Sequence, residues 1–368
     1  MNALKTERCW AEIDLSALRH NAAVARARAG REVDLLAVIK ANGYGHGITA
    51  VAQALADEAQ IFGVANLHEA LAVRAVVAQP ILILGSALPQ ERVSIVQAGF
   101  VASVSSFDEA REFSHYAGAA PALLNCAIDT GMGRMGVAEA GAAEEIKRIA
   151  ALPNVVLHSV STHLPSADED AEFTRTQLAR FSEIVGQIRS VLPSTFAVHA
   201  LPSAGLLAFP ESAHQIVRAG LILYGISPIP EFQFLLRPAL AWKTRVILVR
   251  DLAAGSSVSY GRTFTAKQPM RVATLSVGYG DGWPRALSNR GAAVLIGGRR
   301  CPILGRITMD LTVVDVSDLP AVSAGAEVVL IGRQGDEEIL ASEVARQAST
   351  ISWEILTGIG SRVTRVYV

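Results

Sequence analysis

Eight short apolar runs, separated by amphipathic stretches, constrain this chain more than any other feature. They occupy residues 33–39, 61–65, 81–84, 100–104, 122–128, 155–160, 196–200 and 216–224. Each is rich in Val, Ile, Leu or Ala without polar alternation, as in parallel strands buried on both faces. The intervals 48–58, 67–78, 91–98, 138–151 and 171–191 repeat apolar residues at helical spacing. Ser106-Phe107-Asp108-Glu109 reads as an N-cap and acidic first turn of another helix. The interval 204–215 contains Pro210, so its helix must be brief. Strand and helix alternating eight times predict a (β/α)8, TIM-like barrel over residues 1–234. A doubly wound open sheet has the same local pattern and remains the alternative.

After Pro230 the texture changes. Alternating apolar and polar residues at 240–249, 272–277 and 312–316 predict strands with one buried face. Gly297-Gly298 joins two such runs as a two-residue hairpin turn. Short helices are expected near 342–346 and 353–356. Residues 235–368 therefore read as a mostly antiparallel β domain, which makes the whole an α/β chain of two domains.

Charge and cysteine usage exclude some functions. Lys plus Arg is 33 and Asp plus Glu is 34, a net charge of −1 that gives no drive toward nucleic acid or an anionic membrane. Hydrophobic residues are 51% and charged residues 18%, against a disordered chain. Cys9, Cys126 and Cys301 are too few and too scattered for a disulfide framework or a metal pair, so no metal is expected. No apolar run is long enough for a membrane span. The N-terminus, with Lys5, Glu7 and Arg8, has no apolar leader. A cytoplasmic protein with reduced thiols is the expectation.

The first apolar run ends in Lys40, followed by Ala41-Asn42-Gly43-Tyr44-Gly45-His46-Gly47. Burial disfavours an ammonium group, and a neutral lysine amine can attack a carbonyl to form a Schiff base. Strand C-terminal ends carry catalysis in barrels. A lysine reaching out to solvent is the competing reading. Gly43, Gly45 and Gly47 would let backbone approach a ligand closely. Gly131–Gly136, GMGRMG, is also a literal G-x-G-x-x-G. It follows the fifth run rather than the first, and the next run ends in Ser161-Thr162-His163 with no acidic residue for a ribose. A dinucleotide site is therefore not expected.

AVIKANGYGHG resembles the cofactor-lysine motif of the alanine racemases, which use pyridoxal 5′-phosphate (PLP). DTGMGRMG at 129–136, STH at 161–163, VRAGLILYGISP at 217–228, SVSYGRT at 257–263, VGYGDGWPR at 277–285, RITMD at 306–310 and RVTRVY at 362–367 resemble further family segments, in family order. The resemblance implies a PLP barrel followed by a β domain, and interconversion of L- and D-alanine by two bases. Lys40 would hold PLP and, once freed by the substrate amine, serve one face of the substrate; Tyr260 would serve the other. His163 and Arg218 would stabilise the Tyr260 phenolate, and Arg218 would face the pyridine nitrogen. Ser203, Gly220, Leu221 and Tyr44 match phosphate contacts, with Tyr224 and Trp353 also on the cofactor side. Arg134 would donate to the PLP phenolic oxygen and contact substrate. Met309, Asp310 and Tyr279 would lie on the substrate side, with Arg285 at the entrance. The family implies a homodimer with shared active sites and a role supplying D-alanine for peptidoglycan.

Three positions depart from the family pattern. Ala127 stands where many members have a carbamylated lysine, Pro202 where asparagine precedes the phosphate-loop serine, and Trp353 where tyrosine is usual. Thr308 also replaces a frequent cysteine. The alternatives are a racemase of serine, lysine or several amino acids, and a non-catalytic PLP carrier; carriers lack the β domain.

Overall fold

The computed structural model describes residues 7–192 and 195–368, so the N-terminal stretch containing Lys5 lies partly outside the described residues. The chain divides into two compact units. One holds residues 17–43 and 48–237, the other residues 7–16, 44–47 and 238–368.

The first unit is a closed parallel barrel. Its eight strands are Asp34–Val38, Ile61–Val64, Ile81–Ser86, Val101–Val104, Ala122–Asp129, Val155–Ser161, Ala197–His199 and Ile216–Ala219. Strands one and eight pair in register Leu35↔Val217, and strands four and five pair Val101↔Leu123, which closes the ring. Closure rules out the open doubly wound sheet. All four residues of strands two, four and eight are buried, which is why these strands read as largely apolar runs, interrupted only by Ser103 and Arg218. Side-chain caps set the helices between them. Asn66 accepts from the Glu69 N–H at 3.0 Å, Ser106 from Glu109 at 3.2 Å and Asp170 from Phe173 at 2.9 Å.

Three local features differ from the sequence reading. The eighth apolar run ends as strand at Ala219, and Leu221–Tyr224 coils into a 3-10 helix. The helix expected at 138–151 begins at Ala142, because Val137–Ala138 first pairs with Ile128 and Asp129. A helix at Leu15–Ala29 precedes strand one; its Asn21 side chain donates to the carbonyls of Leu223 at 3.0 Å and Arg237 at 2.8 Å.

The second unit is built on the long strand Leu240–Leu252. Its N-terminal half pairs with Glu327–Gln334 on one side and Cys9–Ile13 on the other. Its C-terminal half pairs with Met270–Leu275, which in turn pairs with Thr312–Asp315. All these pairs are antiparallel; only Cys9–Ile13 with Thr364–Tyr367 is parallel. The hairpin strands Ala293–Ile296 and Arg299–Pro302 flank a turn with Gly297 at φ 59° and Gly298 at φ 74°. Helices Ala341–Ala348 and Ser352–Thr357 follow. The strand Cys9–Ile13, placed with the barrel by the sequence reading, therefore belongs to the second unit's sheet.

Candidate active site

Lys40 follows directly on strand one and Ile39. Ala41, Asn42, Gly43 and Tyr44 then take four successive left-handed conformations, with φ of 53°, 55°, 62° and 51°. Outside glycine each such residue costs roughly 1–2 kcal/mol, so this turn needs support. The Gly43 N–H bonds the Ile39 carbonyl at 2.8 Å, and the Asn42 side chain accepts from Ile48 at 3.0 Å. Glu69 accepts from the Asn42 N–H at 3.3 Å and from Ala65 at 2.8 Å. The sequence reading missed Glu69. Burial, and then the nearby Arg134 cation, lower the Lys40 pKa below that of an ordinary lysine, with Glu69 opposing. Among the described residues the Lys40 amine has no hydrogen-bond partner.

Beside strand one, strand eight carries Arg218, a 6% exposed guanidinium with no carboxylate partner among the described residues. Its Nη1 donates to His199 Nδ1 at 2.6 Å and to the His199 carbonyl at 3.0 Å. Its Nη2 donates to the carbonyls of Thr162 at 2.7 Å and Ala200 at 2.9 Å, and to His163 Nδ1 at 3.3 Å. All these bonds leave from the two terminal nitrogens, so the Nε–H remains available. Burial, with the Arg134 charge, lowers the Arg218 pKa to about 10, where it is still a cation at neutral pH. Since arginine only donates, His163 and His199 must both present an unprotonated Nδ1. Burial pushes His163 down to about 3, followed by the charges of Arg218, Arg134 and Lys40. Burial and Arg218 also push His199 well down. Thus a single buried cation lies between two neutral imidazoles. Behind His163, Gln177 donates to the His163 carbonyl at 3.0 Å and to Thr130 Oγ1 at 2.9 Å, and Thr130 bonds Thr162 at 2.6 Å. None of these supports carries a local sequence signal beyond being polar in a buried setting.

Strands seven and eight come together through Ser203. Its hydroxyl oxygen accepts from Gly220 N–H at 2.9 Å and Ile222 N–H at 3.5 Å. The Leu221 N–H between them has no partner among the described residues. Pro202 sits just before the helix Ser203–Ala208, where a missing N–H removes no helical bond. Tyr224 is buried, and its hydroxyl donates to the Val38 carbonyl at 3.2 Å, tying this segment to the end of strand one.

Arg134 lies exposed on the loop after strand five, and no described residue bonds it. Asp129 organises that loop, accepting from Gly131 and Gly133 at 3.0 Å each. These backbone donors, Gly133 first, lower the Asp129 pKa. No helix starts at the GMGRMG glycines, so the geometry of a dinucleotide fingerprint is absent from this described loop.

The remaining motif residues fall in the second unit. Tyr44 is buried with its pKa raised to about 12 by burial, partly offset by a hydrogen bond from the Trp353 side chain. The indole that departs from the family pattern thus holds the phenol. Gly45 and Gly47 serve close approach, but to this chain's own C-terminal segment: added Cβ atoms would collide with the Leu356 carbonyl and the Tyr367 hydroxyl. Tyr260 is 69% exposed on a turn in which Ser259 (φ 62°), Gly261 (φ 72°) and Arg262 (φ 49°) are left-handed. Buried Val258, packed with Leu252, Val272 and Leu304, anchors that turn, and Ser259 donates to the Arg306 carbonyl at 2.5 Å. The loop beyond Arg306 meets Tyr279 and Gly280, whose N–H groups donate to Thr308 at 3.1 Å and Met309 at 2.8 Å. Thr308 closes its own turn through Leu311, accepting from its N–H at 3.1 Å. Arg362 joins Asp310 at 2.8 Å and Asp281 at 3.0 Å. Three separate sequence blocks thereby converge, leaving Tyr279 and Met309 exposed with Tyr260. Arg285 opens a short turn beside them, Arg285–Leu287.

Residues 13–228 match the family described as alanine racemase, N-terminal domain, and residues 239–367 match alanine racemase, C-terminal domain. The chain is 40% identical to an alanine racemase of Methylacidiphilum infernorum over 98% of this chain and 92% of that one. It is 42% identical to one of Symbiobacterium thermophilum, over 97% and 96%. Among solved structures, alanine racemase from a D-cycloserine-producing Streptomyces lavendulae superposes with a TM-score of 0.93 at 35% identity, covering 98% of this chain and 97% of that one. The Bacillus anthracis enzyme with bound L-Ala-P superposes at 0.90 and 34% identity, over 98% and 95%. With both domains matched and full-length relatives at this identity, the chain belongs to the alanine racemase family.

Proposed function

We propose that this protein is an isomerase that interconverts L- and D-alanine, using PLP as its cofactor. The observation that carries the reading is the buried Arg218 cation, held between two neutral histidines on the strand next to the one that ends in a partner-free, pKa-lowered lysine.

The residues present fit PLP. Lys40 would bind its carbonyl carbon. The available Arg218 Nε–H would meet the pyridine nitrogen, and a permanent cation there keeps that nitrogen unprotonated. Ser203 with the N–H groups of Gly220 and Leu221 would hold the phosphate, joined by Tyr44, Trp353 and Tyr224 on the cofactor side. Arg134 would serve the phenolic oxygen and the substrate carboxylate. When bound, PLP withdraws electrons from the substrate Cα and makes its C–H bond acidic.

The chain's own residues move the proton. Lys40 Nζ, whose pKa burial lowers, accepts or returns it on one face. Tyr260 is exposed and turned outward from its own unit; we assign it as the base for the other face, in the site of a second copy. A phenol needs positive neighbours to ionise, and the cation at Arg218, relayed through His163, supplies that field. Tyr279, Met309 and Asp310 join the substrate side with Tyr260. The assembly is a homodimer with shared sites. We place it in the cytoplasm, making D-alanine for peptidoglycan.

The test is chiral analysis of L-alanine incubated with the purified protein and PLP, beside Lys40→Ala. D-alanine formed only with Lys40 present supports the reading. PLP bound through Lys40 without D-alanine would move the assignment to another amino acid, or to a non-catalytic carrier.

A further inference from the structure

The barrel interior carries a line of hydrogen bonds that the proton transfers above do not use. Arg218 can only donate, so His199 Nδ1, 2.6 Å away, accepts. His199 then carries its proton on Nε2 and donates it to Ser159 Oγ at 3.3 Å. The Ser159 hydroxyl donates to Asn125 Oδ1 at 2.9 Å. Asn125 Nδ2 donates to Ser103 Oγ at 3.1 Å, and the Ser103 hydroxyl donates to the Ile83 carbonyl at 2.8 Å. That carbonyl can only accept. With a pure donor at one end and a pure acceptor at the other, every bond has one permitted direction. The line crosses barrel strands three to eight, one residue per strand. Ser103, Asn125, Ser159 and His199 are each 2% exposed or less, so the line is shielded from bulk solvent.

We propose that Ser159, Asn125 and Ser103 are positioning residues that hold His199 as a neutral acceptor and thereby fix the Arg218 guanidinium where it meets the cofactor. The proposal rests on the racemase reading for its functional consequence, but not for its geometry. The titratable and charged groups that act on His199 are Arg218 on strand eight, His158 on strand six and His214 ahead of strand eight. All are cationic when charged, and no carboxylate offsets them. Ser159 is the Nε2 proton's acceptor; without it, a buried N–H is orphaned and the imidazole turns or shifts its proton, releasing Arg218.

The experiment uses the full chain with PLP, and again after PLP removal. Ring-nitrogen NMR with 15N-histidine reads the His199 tautomer, its signal identified as the one missing from His199→Gln. Alanine racemisation is measured alongside. In the wild type, His199 gives one neutral Nε2–H form. In Ser159→Ala that single form is lost, and kcat falls about tenfold or more while KM stays within about twofold. Ser159→Thr, which keeps the hydroxyl, restores both. Asn125→Asp keeps the shape but buries a negative charge, and His199 gains a proton. An unchanged His199 signal in Ser159→Ala and Asn125→Asp, with kcat within about twofold, overturns the proposal. If Ser159→Ala does not fold, the Asn125→Asp spectrum decides alone. If the tautomer responds but the wild type racemises no alanine, the line of bonds stands and the racemase reading falls.

Discussion

The two units keep their functional residues in opposite ways. In the barrel, Arg218, His199 and Ser203 are buried and hydrogen-bonded to neighbouring barrel segments. In the second unit, Tyr260, Tyr279 and Met309 are 69%, 43% and 53% exposed, on turns whose backbones are firmly tied. Rigid backbone beneath exposed side chains is the construction of a surface made to meet something. The barrel half sets charge and protonation without help. The outward half has its geometry fixed and leaves these side chains exposed, and the function proposed above sets them against a second copy's barrel.

The comparison breaks most visibly at the bases. Lys40→Ala removes the cofactor anchor and one base together, and racemisation should fall by at least about 10³-fold. Tyr260→Phe removes only a hydroxyl from an exposed turn, and should cost about 10²–10⁴-fold in kcat with an unchanged melting temperature. If Tyr260→Phe keeps wild-type turnover, the outward half is not catalytic. Next in size, Met309→Lys on the exposed face should weaken self-association by about tenfold in sedimentation analysis, with the barrel's circular dichroism intact.

The buried half predicts its own pH response. His163 and His199 have pKa values lowered in the fold, so the unfolded chain takes up protons first as pH falls. Stability is full above the unfolded value of about 6.5 and declines below it by about 1.4 kcal/mol per pH unit for each such histidine. For His163 the decline continues to about pH 3. Calorimetry across this window checks it, and a melting temperature flat from pH 7 to 4 would contradict it. The smallest effect concerns Ala127. With no lysine there to carbamylate, added bicarbonate should leave activity unchanged; a clear rise would refute the placing of that segment.

Much of the barrel was legible because doubly buried parallel strands are mostly apolar, and each of the eight strands overlaps a run read from the sequence, with strands three, five and six extending one or two residues further. The strand Cys9–Ile13 was not, since its partners lie at Thr244 and Thr364, far along the chain, and nothing local announces such pairing. Lys40 and Arg218 were legible through their motifs. Ser103, Asn125 and Ser159 were not: each is a polar residue in a largely apolar strand, and only the barrel's closure puts them in line. Their common signal, a buried polar residue on each of three consecutive strands, has meaning only once the register is known. The glycines after Lys40 were read as letting backbone approach a ligand, whereas the close approach at Gly45 and Gly47 is made by the chain's own C-terminal segment.

The most direct test of the central claim mixes two inactive variants. Lys40→Ala and Tyr260→Phe are unfolded together and refolded, so that about half of the dimers hold one chain of each kind. In such a dimer, one site pairs an intact Lys40 with an intact Tyr260 from the other chain. The account predicts recovery to about a quarter of wild-type alanine racemisation. Mixed dimers, confirmed by mass spectrometry, that stay as inactive as their parents would contradict it.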